Sequence, residues 1–182
     1  YYDKESQENC IMPLPIYFIV LDELNTIRGF NRKENAGIFS NEVRKLKDEK
    51  LNVRIFNSPI NIIGFYKDIK GDIKSLNGSF SKSVYAALIN EDKSLELVNF
   101  QFYGACRDPW FNIKFDKTKY VVGITDLVEE QTPLTKFYRP VFKPFKMDNN
   151  LLKQAIEMDK KLQEYLKIYL ETTTDHIKKE EM

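Results

Sequence analysis

SVYAALINEDKSLELVNFQFY, residues 83–103, divides into SVYAALI (83–89), the polar NEDKS (90–94) and LELVNFQFY (95–103). Two β-branched and aromatic runs around a short polar connection predict an antiparallel hairpin. Along the second run Leu95, Leu97, Asn99, Gln101 and Tyr103 share one face, while Glu96, Val98, Phe100 and Phe102 share the other. Neither face is cleanly polar, so this strand is expected to have cover on both sides or to present aromatics to a ligand.

Toward the N-terminus, Ile16 to Leu21 form a dense run that predicts a central strand. Residues 25–50 break this regularity with two glycines and many charges, although Ile38, Phe39 and Val43 can anchor a short element. LNVRIF (51–56) and INIIGFY (60–66) predict a hairpin around NSP at 57–59. Ile69, Ile73 and Leu76 then recur at helical spacing, with Gly78 as a stop. Toward the C-terminus, strands are expected at 110–115, 119–125 and 137–145, the last at an edge because Pro140 and Pro144 cannot donate to a central ladder. Asp148 or Asn149 can cap a helix over 149–171, whose stripe is Leu151, Ala155, Met158, Leu162, Tyr165 and Tyr169.

This order lacks the crossover helices of a parallel sheet. The expected architecture is mainly β: an antiparallel barrel like the oligonucleotide-binding (OB) fold, with a short middle helix closing one end and a long C-terminal helix. A β-sandwich is the alternative. One domain is expected over 11–182, after a loose segment at 1–10.

The 182 residues are 42% hydrophobic and 30% charged, which excludes a disordered chain. A net charge of +1 excludes blanket attraction to polyanions, so any such site must be a local patch. With only Cys10 and Cys106, a reducing compartment is the simpler reading, and a cytoplasmic location is expected, the host cytoplasm if the chain is viral. The apolar run Pro15–Leu21 is too short to span a bilayer, so no membrane role is expected. His176 sits in a polar tail, without the partners that a hydrolytic triad or zinc site requires, and no nucleotide-binding glycine loop is present. No catalytic residue, cofactor or metal is therefore assigned. Asp22, Glu23, Glu42, Asp68 and Asp72 leave a magnesium-dependent nuclease as an alternative.

Between Asn25 and Phe56 eight cations face four carboxylates. Further on, Lys136, Arg139, Lys143 and Lys146 alternate with Phe137, Tyr138, Phe142 and Phe145. Cations for phosphates interleaved with rings for bases are what a single-strand binder needs, while core aromatics beneath solvated cations give the same pattern. Trp110 likewise reads as a stacking platform beside Arg107 or as a ring buried under the terminal helix. The candidate contacts are Arg28, Arg32, Lys33, Arg44, Arg54, Arg107 and Arg139, with Tyr103, Trp110 and Tyr138.

FIVLDELNTIRGF (18–30), GIFSNEVR (37–44), GFYKDIKGDIK (64–74), KSVYAALI (82–89) and ELVNFQFYGA (96–105), followed by NNLLKQAIEMDKKLQEYLKIYLE, resemble the barrel region of small phage-type single-stranded DNA-binding proteins over about residues 15–171. The resemblance implies an OB barrel that coats and protects transient single-stranded DNA during replication or recombination, without catalysis. Self-association or a replication partner would engage the C-terminal helix. A phage structural or assembly protein, working through protein contacts alone, is the further alternative.

Overall fold

The computed structural model describes residues 2–3, 8–9, 11–133 and 135–180. Two short strands, β1 (Tyr2–Asp3) and β2 (Glu8–Asn9), pair with each other; the rest of the expected loose segment, Cys10 included, lies outside the described residues. The domain itself is mixed α/β, built on an eight-stranded antiparallel sheet. Its axis is β3 (Ile16–Asn31), which runs ten residues beyond the expected central strand. One edge of β3 carries β7 (Gly78–Ile89), and β7 in turn carries β8 (Leu95–Phe102). The other edge carries β9 (Val121–Gln131) near its start and β4 (Ala36–Ser40) near its end. β5 (Leu51–Ile55) and β6 (Asn61–Gly64) extend the β4 side, and β10 (Lys136–Phe145) extends the β9 side.

The sheet is open. Among the described residues β6, β8 and β10 each pair on one side only, and no ladder joins β8 to β10. This corrects the expectation of a mainly β, OB-like barrel: the strands and their antiparallel sense are present, but closure is not. What lies between β8 and β10 is packed side chains. A 3₁₀ turn at Gly104–Cys106 and the short helix α2 (Arg107–Phe111) occupy the stretch where a strand at 110–115 was expected. α2 inserts Trp110, fully buried, between Phe102 of β8 (4.5 Å) and Phe142 of β10 (5.2 Å). Phe18, Val84, Val122 and Ile124 complete this core on one face of the sheet.

α1 (Tyr66–Ser75) buries Ile69 and Ile73 against Ile27, Ile38, Leu51, Val53 and Ile55, as its spacing predicts. Its stop is set by Asn77 in the left-handed region (φ 70°), and Gly78 already belongs to β7. On the opposite face of the sheet from α2 lies α3 (Asn149–Glu180), nine residues longer than expected. The Asp148 carboxylate caps it by accepting from the Asn150 and Leu151 N–H groups (2.9 and 2.8 Å). Ala155, Leu162, Leu166 and Ile177 are its buried residues, so Tyr165, expected in the stripe, is displaced to the flank and stays exposed. The last turn is fastened by Glu180, which accepts from Arg54, from Asn52 Nδ2 (2.7 Å) and from Asn61 Nδ2 (3.0 Å). His176 is therefore a helical, exposed residue.

Candidate interaction edge

A sheet with three ends must deal with three rows of unpaired peptide groups, each a template for pairing with another chain. β10 is protected by Pro140 and Pro144, as its prolines predict, and by a bulge between Val141 and Phe142. β6 is only four residues long, and Asn61 on it is drawn to Glu180. β8 has neither protection: it runs for eight residues without proline or lysine, and its pairing with β7 has no bulge.

The hairpin turn fixes which peptide groups point outward. The Asn90 N–H donates to the Ser94 carbonyl (3.0 Å), and Lys93 takes the left-handed conformation (φ 65°) that a three-residue turn needs. Asn90 and Ser94 are therefore a hydrogen-bonded pair. With unbroken register, Leu88·Glu96, Ala86·Val98, Val84·Phe100 and Lys82·Phe102 are hydrogen-bonded pairs too. The N–H and C=O groups of Leu95, Leu97, Asn99 and Gln101 thus face away from β7. Among the described residues no hydrogen bond from another segment reaches them.

The same residues carry side chains toward α3. Leu97 is 46% exposed, and Leu95 packs beside Met158 of α3. On the helical wheel Met158 and Tyr165 lie on one flank of the buried stripe, the side where Leu95 packs, and Tyr165 is 55% exposed. Glu96, on the α2 face, is exposed and forms no ion pair among the described residues.

Behind this edge a polar network centred on the buried Glu42 and Ser83 ties β8 to β7. Glu42, 7% exposed, accepts from the Ser83 hydroxyl and from the Tyr85 phenol (2.7 Å). Ser83 Oγ in turn accepts from Asn99 Nδ2 (2.7 Å) and Gln101 Nε2 (3.0 Å), and the Glu42 N–H donates to the Tyr169 hydroxyl (3.3 Å). Burial, reinforced by the hydrogen bond to Glu42, pushes the Tyr85 phenol far above the ordinary tyrosine range. Burial also raises Tyr169. Both Glu42 carboxylate oxygens and the Ser83 hydroxyl are spent inside this network, which suits a structural clamp between β7, β8 and α3.

The residues selected from sequence are scattered over separate elements. Arg44 pairs with Asp22 (2.9 Å), Arg107 with Asp108 (3.0 Å), Arg139 with Glu130 (2.7 Å), and Arg54 with Glu180. Arg28 donates to Gln101 (3.4 Å), and Arg32 and Lys33 stand exposed in the β3–β4 turn. Tyr103 and Tyr138 are exposed on different elements, Tyr138 donating to Glu129 (3.0 Å), while Trp110 is core, with Lys117 Nζ 4.2 Å from its ring centre. The expectation of a barrel protein that coats single-stranded DNA is overturned with the barrel: the open sheet forms no barrel groove, and the cations assigned to phosphates are largely held by carboxylates. The resemblance to phage-type DNA-binding proteins falls with it.

The nuclease alternative is corrected as well, since among the described residues no three His, Cys, Asp or Glu side chains are placed to share a metal ion. Asp22 is held by Arg44, Glu23 by Lys117 (2.6 Å) and Lys82 (3.7 Å), and Glu42 by hydroxyls. Sequence reasoning missed the β8 edge as a site. Its signal was available: an eight-residue strand without proline or lysine beside a strand, 137–145, that has both. No protein-family model, curated protein or solved structure matches the chain.

Proposed function

We propose that this protein is a non-catalytic interaction module that accepts an extended polypeptide strand along the outer edge of β8. The observation that carries this reading is the contrast among the three sheet ends: two are blocked or short, and the third presents the outward peptide groups of four alternate residues with no partner among the described residues. Strand addition satisfies those groups, and side chains of alternate residues supply selectivity. The incoming strand meets Leu97 and the Tyr165 flank of α3 on one face and the half-buried Val98 and Phe100 on the other. It is therefore apolar at alternating positions, with a cation opposite Glu96 favoured.

A display library of random-sequence peptides, selected against the purified chain, tests this. Enriched peptides are expected to alternate apolar residues and to lose binding when Leu97→Pro removes one outward N–H. Peptides that bind Leu97→Pro as well as the parent chain would place the binding surface elsewhere and end this reading.

A further inference from the structure

We infer that one face of β5 and β6 carries a carboxylate-binding site that α3 keeps filled with its own Glu180, and that the site takes an acidic residue of a partner helix when the last turns of α3 lift. This site is separate from the β8 edge. Asn52 and Arg54, two residues apart on β5, project to the same side of the sheet, and Asn61 lies opposite Arg54 in the β5–β6 ladder. The three side chains converge on one carboxylate: Arg54 and the Nδ2 groups of Asn52 (2.7 Å) and Asn61 (3.0 Å) hold both oxygens of Glu180. Charge-assisted donors that grip both oxygens are the chemistry of carboxylate recognition. The donors are set in place by the strands rather than by the helix. Arg54 Nε donates to Asn52 Oδ1 (3.1 Å), and the Asn52 N–H donates to Asn41 Oδ1 (2.6 Å), so the cradle is oriented without any contribution from α3.

The stretch of α3 above this cradle is thinly held. Upstream, Ala155 packs with Ile19 and Ala87, and Leu162 and Leu166 pack with Leu24 and Tyr85. From Leu170 to Glu180 only Ile177 is buried. Ile177 stands between two clefts, one of about 270 Å³ lined by Val43 and Phe65, the other of about 380 Å³ lined by Phe39 and Arg54. The Thr173 and Thr174 hydroxyls donate to the Tyr169 and Leu170 carbonyls (2.8 Å each), bonds that slightly weaken and bend a helix. The end of α3 therefore bridges a groove without filling it, and Glu180 is its polar fastening. Lifting it joins the two clefts and bares the cradle. The segment that fills the site now defines what fits: a helix with an apolar residue three positions before an acidic one, as Ile177 stands before Glu180. Arg54 supplies the charge complementarity, since among the described residues its ion-pair partner is Glu180.

Fluorescence anisotropy tests the inference, with a labelled, C-terminally amidated peptide of residues 166–180 titrated with the full chain carrying Glu180→Gln, which removes the internal carboxylate. The peptide is expected to bind this variant saturably. The same peptide with glutamine at the position of Glu180 should bind about 10- to 150-fold more weakly, the loss expected for charge-assisted hydrogen bonds. The parent chain, whose site is filled, should bind the peptide more weakly than Glu180→Gln does. Adding Arg54→Met to Glu180→Gln should erase the preference for the glutamate peptide; if that variant fails to fold by circular dichroism, Asn61→Ala, at an exposed position of β6, serves instead. Adding Leu97→Lys should leave binding unchanged. No binding to Glu180→Gln, or equal binding of the two peptides, overturns the assignment. Loss of binding in a folded Leu97→Lys variant also overturns it, because the peptide would then be seated on β8, and the strand-acceptor reading would stand without this site.

Discussion

Proline substitution along β8 should alternate in its cost, because only every second residue donates toward β7. Val98→Pro deletes the N–H that bonds the Ala86 carbonyl, and Ala86 is fully buried. The lost bond contributes about 1 kcal/mol, and stranding the carbonyl costs about 1–3 kcal/mol more, so the expected loss is about 2–4 kcal/mol. Leu97→Pro deletes an N–H that already faces solvent, from a residue whose side chain is 46% exposed. Its cost to the monomer should stay within about 1 kcal/mol, as edge prolines do. Urea titration followed by circular dichroism, at protein concentrations where association is absent, measures both. With a slope of about 2 kcal/mol/M the two midpoints should differ by about 1 M. Equal costs, or a Leu97→Pro variant less stable than Val98→Pro, would mean that the peptide groups of β8 point the other way, and the interaction edge derived from the Asn90·Ser94 pair would be wrong.

Three further predictions test the scaffold behind the edge. Trp110→Ala should destabilise by about 3–5 kcal/mol by urea titration, whereas Trp110→Phe should cost much less, because it also removes a buried Nε1 that has no hydrogen-bond partner; a loss under about 1 kcal/mol for alanine would deny that α2 plugs the space between β8 and β10. Gly29→Ala should be strongly destabilising, since a Cβ there would stand 2.4 Å from the Asn77 carbonyl oxygen at the end of α1, and a melting temperature equal to that of the parent chain would refute this packing. The Tyr85 phenol is raised in the folded state, so the unfolded chain ionises first as pH climbs past about 10, and stability that is complete below that value declines above it; Tyr85→Phe should flatten this alkaline slope, and an unchanged slope would contradict the buried pairing with Glu42.

Local elements were legible where one physical signal dominated. The 83–103 hairpin followed from alternation around a polar turn, α1 from Ile69 and Ile73 at helical spacing, and the edge position of β10 from its two prolines. α2 was misread because Trp110, Phe111, Ile113 and Phe115 mimic strand alternation, while Pro109 sits in the first turn of a helix, where its missing N–H is harmless. α3 outran its expected end because Tyr169, Thr173 and Ile177 continue the four-residue spacing through a stretch of polar threonines, and because Glu180 is fastened to Arg54, Asn52 and Asn61. Closure was not legible at all: whether β8 meets β10 depends on side chains from Trp110 and Phe142 that fill the space between them, a tertiary outcome with no local pattern. The candidate contacts failed for a related reason, since a count of cations along the chain does not show that Arg44, Arg54, Arg107 and Arg139 each end beside a carboxylate.

Residue-resolved hydrogen exchange of the full chain, alone and with a selected peptide, addresses the role of the β8 edge most directly. The amides of Val98 and Phe100 should be protected in both conditions, because β7 holds them, and those of Leu97 and Asn99 should exchange freely in the chain alone and become protected when a selected peptide is added. Free exchange at Leu97 and Asn99 under both conditions would contradict the assignment of β8 as the working edge of this protein.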